Sequence, residues 1–133
     1  MTVGLSTTNL ANAWLNTLKG NGAGVTFTAP ATIFVEFHTA DPGASGTTAV
    51  STGLATRQAC TFLAASAGSL ALTTTFPSGT ATGSDTITHI ALFSASTAGT
   101  FYASAALTAS KTVANGDTLT LSSMTISLAP LAA

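Results

Sequence analysis

Residues 8–18 (TNLANAWLNTL) place Leu10, Trp14 and Leu18 four positions apart, with Ala11 and Leu15 beside them. That spacing puts one apolar stripe on a helix. The opposite face is Asn9, Asn12, Asn16 and Thr17, polar without charge. Thr7 or Thr8 can cap the start, and Gly20 followed by Asn21 and Gly22 stops it, so a helix is predicted over 7–19. Three turns are marginal alone in water, so the stripe is expected to dock. At this spacing Trp14 reads as a core residue of the stripe rather than a partner-binding anchor.

From Gly24 onward the period becomes two. Thr32 to Thr39 (TIFVEFHT) sets Ile33, Val35 and Phe37 on one face and Phe34, Glu36 and His38 on the other. Asp41-Pro42-Gly43 is a turn, because Pro presets φ and Gly accepts positive φ. Residues 43–53 form a loop of small residues. Strands are predicted at Thr56–Leu63, at Ser69–Phe76 (ended by Pro77-Ser78-Gly79), at Thr86–Ser94 and at Phe101–Thr108. A short strand begins at Val113 and turns back at Asn115-Gly116-Asp117, a hairpin signal. Thr118–Leu121 and Met124–Leu128 close the chain. The Ala-rich stretch 63–71 is ambiguous and suits a helix by propensity. Seven or eight short strands at this spacing predict an all-β antiparallel sandwich, or a jelly-roll-like barrel. One domain is expected over 1–133, the sandwich spanning 25–133.

Composition changes this picture in one respect. Three basic and four acidic residues make 5% of 133, against about 25% in an ordinary soluble domain. Ala, Thr, Ser and Gly supply about three-fifths of the chain. Few charges keep copies apart, so much of the surface is expected to be covered by neighbouring subunits. Lys19, Arg57 and Lys111 cannot build a phosphate-tracking patch, which argues against nucleic acid as a partner. No apolar run approaches the roughly 18–20 residues that span a bilayer. The N-terminus lacks the basic and apolar regions of a secretory signal. Cys60 is the only cysteine, so no internal disulfide is expected, and synthesis in a reducing host cytoplasm fits.

Candidate chemistry is sparse. His38-x-x-Asp41 offers two metal ligands with no third nearby; the plainer reading is a strand-end His and a turn Asp. His89, with Asp85 close in sequence, lacks a G-x-S-x-G elbow to present a serine. Four acids leave little for a paired-carboxylate site. Cys60 in Gln-Ala-Cys-Thr-Phe reads as a core thiol rather than a nucleophile. Gly4, Gly20, Gly22 and Gly24 lack the Lys-Ser/Thr of a phosphate loop. The expectation is no catalytic, cofactor-binding or metal-binding residue, no cofactor, and no enzyme.

Several segments together resemble a family of small virion proteins of tailed bacteriophages. These are NLANAWLNTLKG, TAPATIFVEFHTADPG at 28–43, TRQA at 56–59, TITHIALF at 86–93 and AALTASKTVANGDTL at 105–119. The resemblance covers nearly the whole chain in order. Its members are labelled tail-fibre, minor tail or head-decoration proteins, so it implies a virion component and carries over no site residue. Three features favour decoration of the head: one compact domain, no shaft-forming repeat, and no cluster of recognition aromatics. The main expectation is a minor capsid protein bound outside the head, with the major capsid protein as partner. The alternative is a minor tail, tail-tip or fibre protein, in contact with other tail proteins and with host glycans. Either way a homo-oligomer is expected, a trimer first.

Overall fold

A computed structural model of the chain describes residues 3–19, 29–73 and 77–128. The predicted helix stop at Gly20–Gly22, the strand onset at Gly24, the strand end at Phe76 and the side chain of Leu18 lie outside the described residues. The rest is an all-β antiparallel sandwich with one N-terminal helix.

Ser6 opens the helical segment, its Oγ accepting the Asn9 amide at 3.4 Å. The cap is thus one residue ahead of the predicted Thr7. A wide, π-type turn at Thr7–Ala11 runs into α1 (Asn12–Lys19). Leu10 and Ala13 are buried, Trp14 is half-buried, and Leu15 points outward. The buried stripe is therefore rotated from Leu15 towards Ala13. Asn9 Nδ2 donates to Phe101 O at 2.9 Å and Ser6 N to Tyr102 O at 2.6 Å, which fastens the segment to the sheet.

Nine strands occur among the described residues: β1 (Gly4–Leu5), β2 (Ile33–His38), β3 (Gln58–Cys60), β4 (Ser69–Ala71), β5 (Ser78–Thr80), β6 (Asp85–Phe93), β7 (Phe101–Val113), β8 (Thr118–Thr120) and β9 (Thr125–Ser127). The main sheet has the order β1-β7-β6-β2-β3. The opposing layer is two separate ribbons, β4-β9 and β5-β8, where a jelly roll would have a continuous sheet. Between the layers pack Val35, Phe37, Ile87, Ile90, Leu92, Leu72 and Val113, flanked by half-buried Leu119, Leu121, Met124 and Ile126.

Four further sequence expectations change. Ser78 and Gly79, read with Pro77 as the stop of a strand, instead begin β5. Phe101–Thr108 and Val113 belong to one 13-residue strand. It stays continuous because a bulge absorbs Leu107–Ser110: Ile87 pairs with Lys111, but His89 pairs with Ala106. The Asn115-Gly116-Asp117 turn forms, with Gly116 at φ +90° and Asp117 Oδ2 accepting the Ala114 amide at 2.9 Å. Its flanks do not form a hairpin. Ala81 clasps the turn through its amide on Asp117 O (2.7 Å) and its carbonyl on Gly116 N (2.8 Å), which draws β8 onto β5. The Ala-rich 63–71 stretch is not helical. Ser66 and Ser69 exchange backbone bonds at 2.9 Å around Ala67 and Gly68, both at positive φ, and the chain reverses there.

Candidate functional site

Strand β2 shows why the polar groups gather. Period two puts Val35 and Phe37 into the core and Glu36 and His38 on the other face of the sheet. That second face is not solvated: all four residues are buried. The loop after β2 returns along the strand end, with Ser51 N on Phe37 O and Thr39 N on Ala49 O, both at 2.9 Å. Its tip folds over the sheet. Gly46, at φ +73°, lies flat on the Phe101 ring, where any Cβ would overlap it.

Beneath this loop, Glu36 Oε1 accepts from Arg57 Nε at 2.8 Å. Arg57 Nη1 donates to the carbonyls of Ala95 (3.1 Å) and Ala98, and its Cζ stacks 3.5 Å from the Phe93 ring centroid. One guanidinium thereby ties the 94–99 turn to β2. Phe93 in turn tilts against Phe101, centroids 5.7 Å apart. His38 has no exposed surface. Its Nδ1 lies 2.8 Å from Thr48 O, and a carbonyl can only accept, so Nδ1 carries the proton. Its Nε2 faces Glu36 Oε2 at 3.2 Å, an ion-pair distance that is off line for a hydrogen bond. Burial pushes the Glu36 carboxyl up, but the contacts with His38 and Arg57 together outweigh it and hold the group below its ordinary value.

The sequence candidates are dispersed. Asp41 Oδ1 accepts the Gly43 amide at 2.9 Å, the local turn role expected of it. Asp85 Oδ2 collects Gly53 N (2.8 Å), Ser51 Oγ (2.7 Å) and Thr52 Oγ1 (3.4 Å). The Gly53 amide leads the causes that hold its carboxyl low. His89 stands opposite His38 across β2 and β6, yet its Nδ1 meets Thr88 Oγ1 at 2.8 Å. Ser51 and Asp85 therefore pair without a histidine between them. Cys60 is buried, and burial pushes its thiol up to about 11. Among the described residues no three His, Cys, Asp or Glu side chains converge as metal ligands, and no helix is long and apolar enough to cross a membrane.

Sequence reasoning passed over Glu36, Arg57 and Thr48. A signal was present: Glu36 and His38 share one strand face in a chain with four acids. Their partners lie 10 and 21 residues away, which no local pattern reports.

The cluster pairs one acid and one base internally, Glu36 with Arg57. Among the described side chains Lys111 is the one charged group with no partner inside the chain; Glu36, Arg57, Asp41, Asp85 and Asp117 are all engaged. Glu36 and Arg57 offset each other, whereas Asp41, Asp85 and Asp117 accept from neutral donors and keep their charge, Asp117 at an exposed position.

Trp14 belongs to the other side of the sheet. It lines an apolar groove of about 400 Å³ between α1 and the β4-β9 ribbon, floored by Ile33 and Leu92.

No curated protein matches the chain. A family model does, over residues 4–129, which takes in every strand from β1 to β9. Its description is that of a fibre protein, a structural component of a phage virion. The chain belongs to this phage family, described as Podophage GP4 fiber I protein gp80.

Proposed function

We propose that the chain is a non-enzymatic subunit of a podophage tail fibre, acting through folding and assembly with copies of itself and with other tail proteins. The observation that carries this is the match over residues 4–129 to a fibre family. It supports the alternative drawn from the sequence over decoration of the head. The lack of a shaft-forming repeat then means that the chain contributes a compact module to the fibre. The chain's 5% charge and the internal pairing of Glu36 with Arg57 support the same reading, since an outer surface with few charges suits lateral contact. Antibody against the purified subunit should label the tail appendages of intact virions. Label spread over the head, with hundreds of copies per particle, would overturn the fibre reading and restore head decoration.

A further inference from the structure

We propose that Asn115 is a site of spontaneous covalent modification, held shut while Ala81 clasps the turn at 114–117 and opened irreversibly when that clasp lets go. The pair Asn115-Gly116 carries the chemistry. The Gly116 amide nitrogen attacks Asn115 Cγ and an N–Cγ bond forms. The Cγ–Nδ2 bond breaks, and Nδ2 leaves as ammonia with the proton that the backbone nitrogen gave up. Water then opens the resulting succinimide at either of its two carbonyls. One opening leaves an aspartyl residue. The other leaves an iso-aspartyl residue, whose main chain runs through Cβ and is longer by one methylene. Glycine favours the attack because it has no side chain to crowd its nitrogen. Apart from its chain neighbours, nothing lies within 4 Å of where a Gly116 Cβ would stand. Asn115 itself is exposed, so water reaches the ring.

The fold blocks this reaction in two ways. The nucleophile must shed its proton, yet the Gly116 N–H is donated to Ala81 O at 2.8 Å, where base cannot take it. The ring must also close. Asp117 N bonds Ala114 O at 3.0 Å, Gly116 lies at φ +90° and Asn115 is not at positive φ, which makes 114–117 a type II turn. Such a turn sets ψ at about +120° at its second residue, here Asn115, and so turns Gly116 N away from Cγ. The bonds from Ala81 N to Asp117 O (2.7 Å) and from Ala114 N to Asp117 Oδ2 (2.9 Å) brace the same four residues. Reaction therefore requires the turn to part from Ala81. Ala81 follows β5 and Asp117 precedes β8, so the parting opens one end of a ribbon with three residues in each strand. A short, exposed element of this kind opens at less cost than the whole fold. An iso-aspartyl product cannot restore the clasp, because the extra methylene separates Gly116 N from Asp117 O, which Ala81 grips together. The new carboxylate also stands two residues from Asp117, in a chain with four acids. A transient opening is thus fixed in the covalent structure.

Trypsin cuts after Lys111, which places Asn115 in the peptide 112–133, apart from the second Asn-Gly pair at Asn21-Gly22. The purified full-length chain is kept in mildly alkaline buffer, native or in guanidinium chloride, and the amide-to-acid mass gain of that peptide is followed. Asn115 should convert under both conditions, at least about tenfold more slowly in the native chain. Asp117→Ala removes the brace on Ala114 N; it should raise the native rate several-fold and leave the rate in guanidinium unchanged. The modified chain, separated by its extra charge, should contain a fraction without amide protection at Ala81 and Gly116. Asn115→Asp, with the same charge and an ordinary backbone, should keep that protection throughout. Equal rates in the native and unfolded chain, or a native rate blind to Asp117→Ala, would overturn the proposal. So would a modified chain fully protected at Ala81, or an Asn115 that stays intact in guanidinium.

Discussion

The two faces of the main sheet are covered by opposite means. On one, the 39–54 loop closes over Glu36, His38 and Arg57; Glu36 Oε1, Arg57 and His38 Nδ1 have directional partners there, while Glu36 Oε2, His38 Nε2, His89 Nε2 and Ser104 Oγ are buried without a hydrogen bond. On the other, two thin ribbons and a short helix cover an apolar floor and leave a groove. Hydrogen bonds and ion pairs demand particular partners at particular places, and the bonds of Arg57 and of His38 Nδ1 that fix the cover over this face come from within the chain. Apolar contact is non-directional and scales with area, so the apolar face is served equally well by its own chain or by a neighbour. In this molecule the directional contacts and the apolar groove lie on different sides of one sheet.

The sharpest way to break the polar face is Arg57→Ala. It strips the counter-ion from a carboxylate with only 8% of its side chain exposed and releases the Ala95 and Ala98 carbonyls. Removing one partner of a buried pair costs about 3–5 kcal/mol, which denaturant melts would show as a large fall in midpoint. A melt close to the parent would mean that the pair is solvated and that the cover over this face is loose.

Gly46→Ala comes next. The residue sits at φ +73° with the Phe101 ring where Cβ would stand, so both the backbone and the ring must shift. A loss of about 1–3 kcal/mol is expected. Faster amide exchange at Thr39 and Ser51, whose amides tie the loop to the sheet, would locate the damage.

Acid gives the smallest effect under ordinary conditions. Both Glu36 and Asp85 are held below the ordinary carboxylate value in the folded chain. The unfolded chain therefore takes up protons first as pH falls. The stabilisation is complete above about pH 5, where both states are ionised, and is lost as pH drops through the ordinary value near 4 towards the folded ones. Thermal midpoints should be flat above pH 5 and fall below it. Asp85→Asn should flatten part of that fall, while substitutions in the apolar groove leave its shape unchanged. A midpoint that rises on acidification would contradict the geometry of both carboxylates.

How much was legible in the sequence depends on the reach of each feature. The helix, β2 and β6 were readable because their side-chain period is local. The Asp41 turn was readable because its hydrogen bond spans two residues. The single strand β7 was not, since a four-residue bulge hides its continuity from a period-two reading. The site was not either. His38 and Asp85 were noticed as residue types, but their partners Thr48, Glu36, Ser51 and Gly53 come from the loop that folds back after β2 and from β2 itself.

What the sequence by itself determined is the β character, the one short helix, the turn at Asn115-Gly116-Asp117 and a surface almost without charge. Those follow from period, backbone preference and composition, which act over a few residues or over the whole chain at once. Only the tertiary structure decided that β8 leaves that turn for β5, that Glu36, Arg57 and His38 share one burial, and that the described residues of the apolar side line a groove. Each of these depends on which distant segments lie side by side. That choice is made by summed burial and hydrogen bonding across the fold, and no single stretch of sequence carries it.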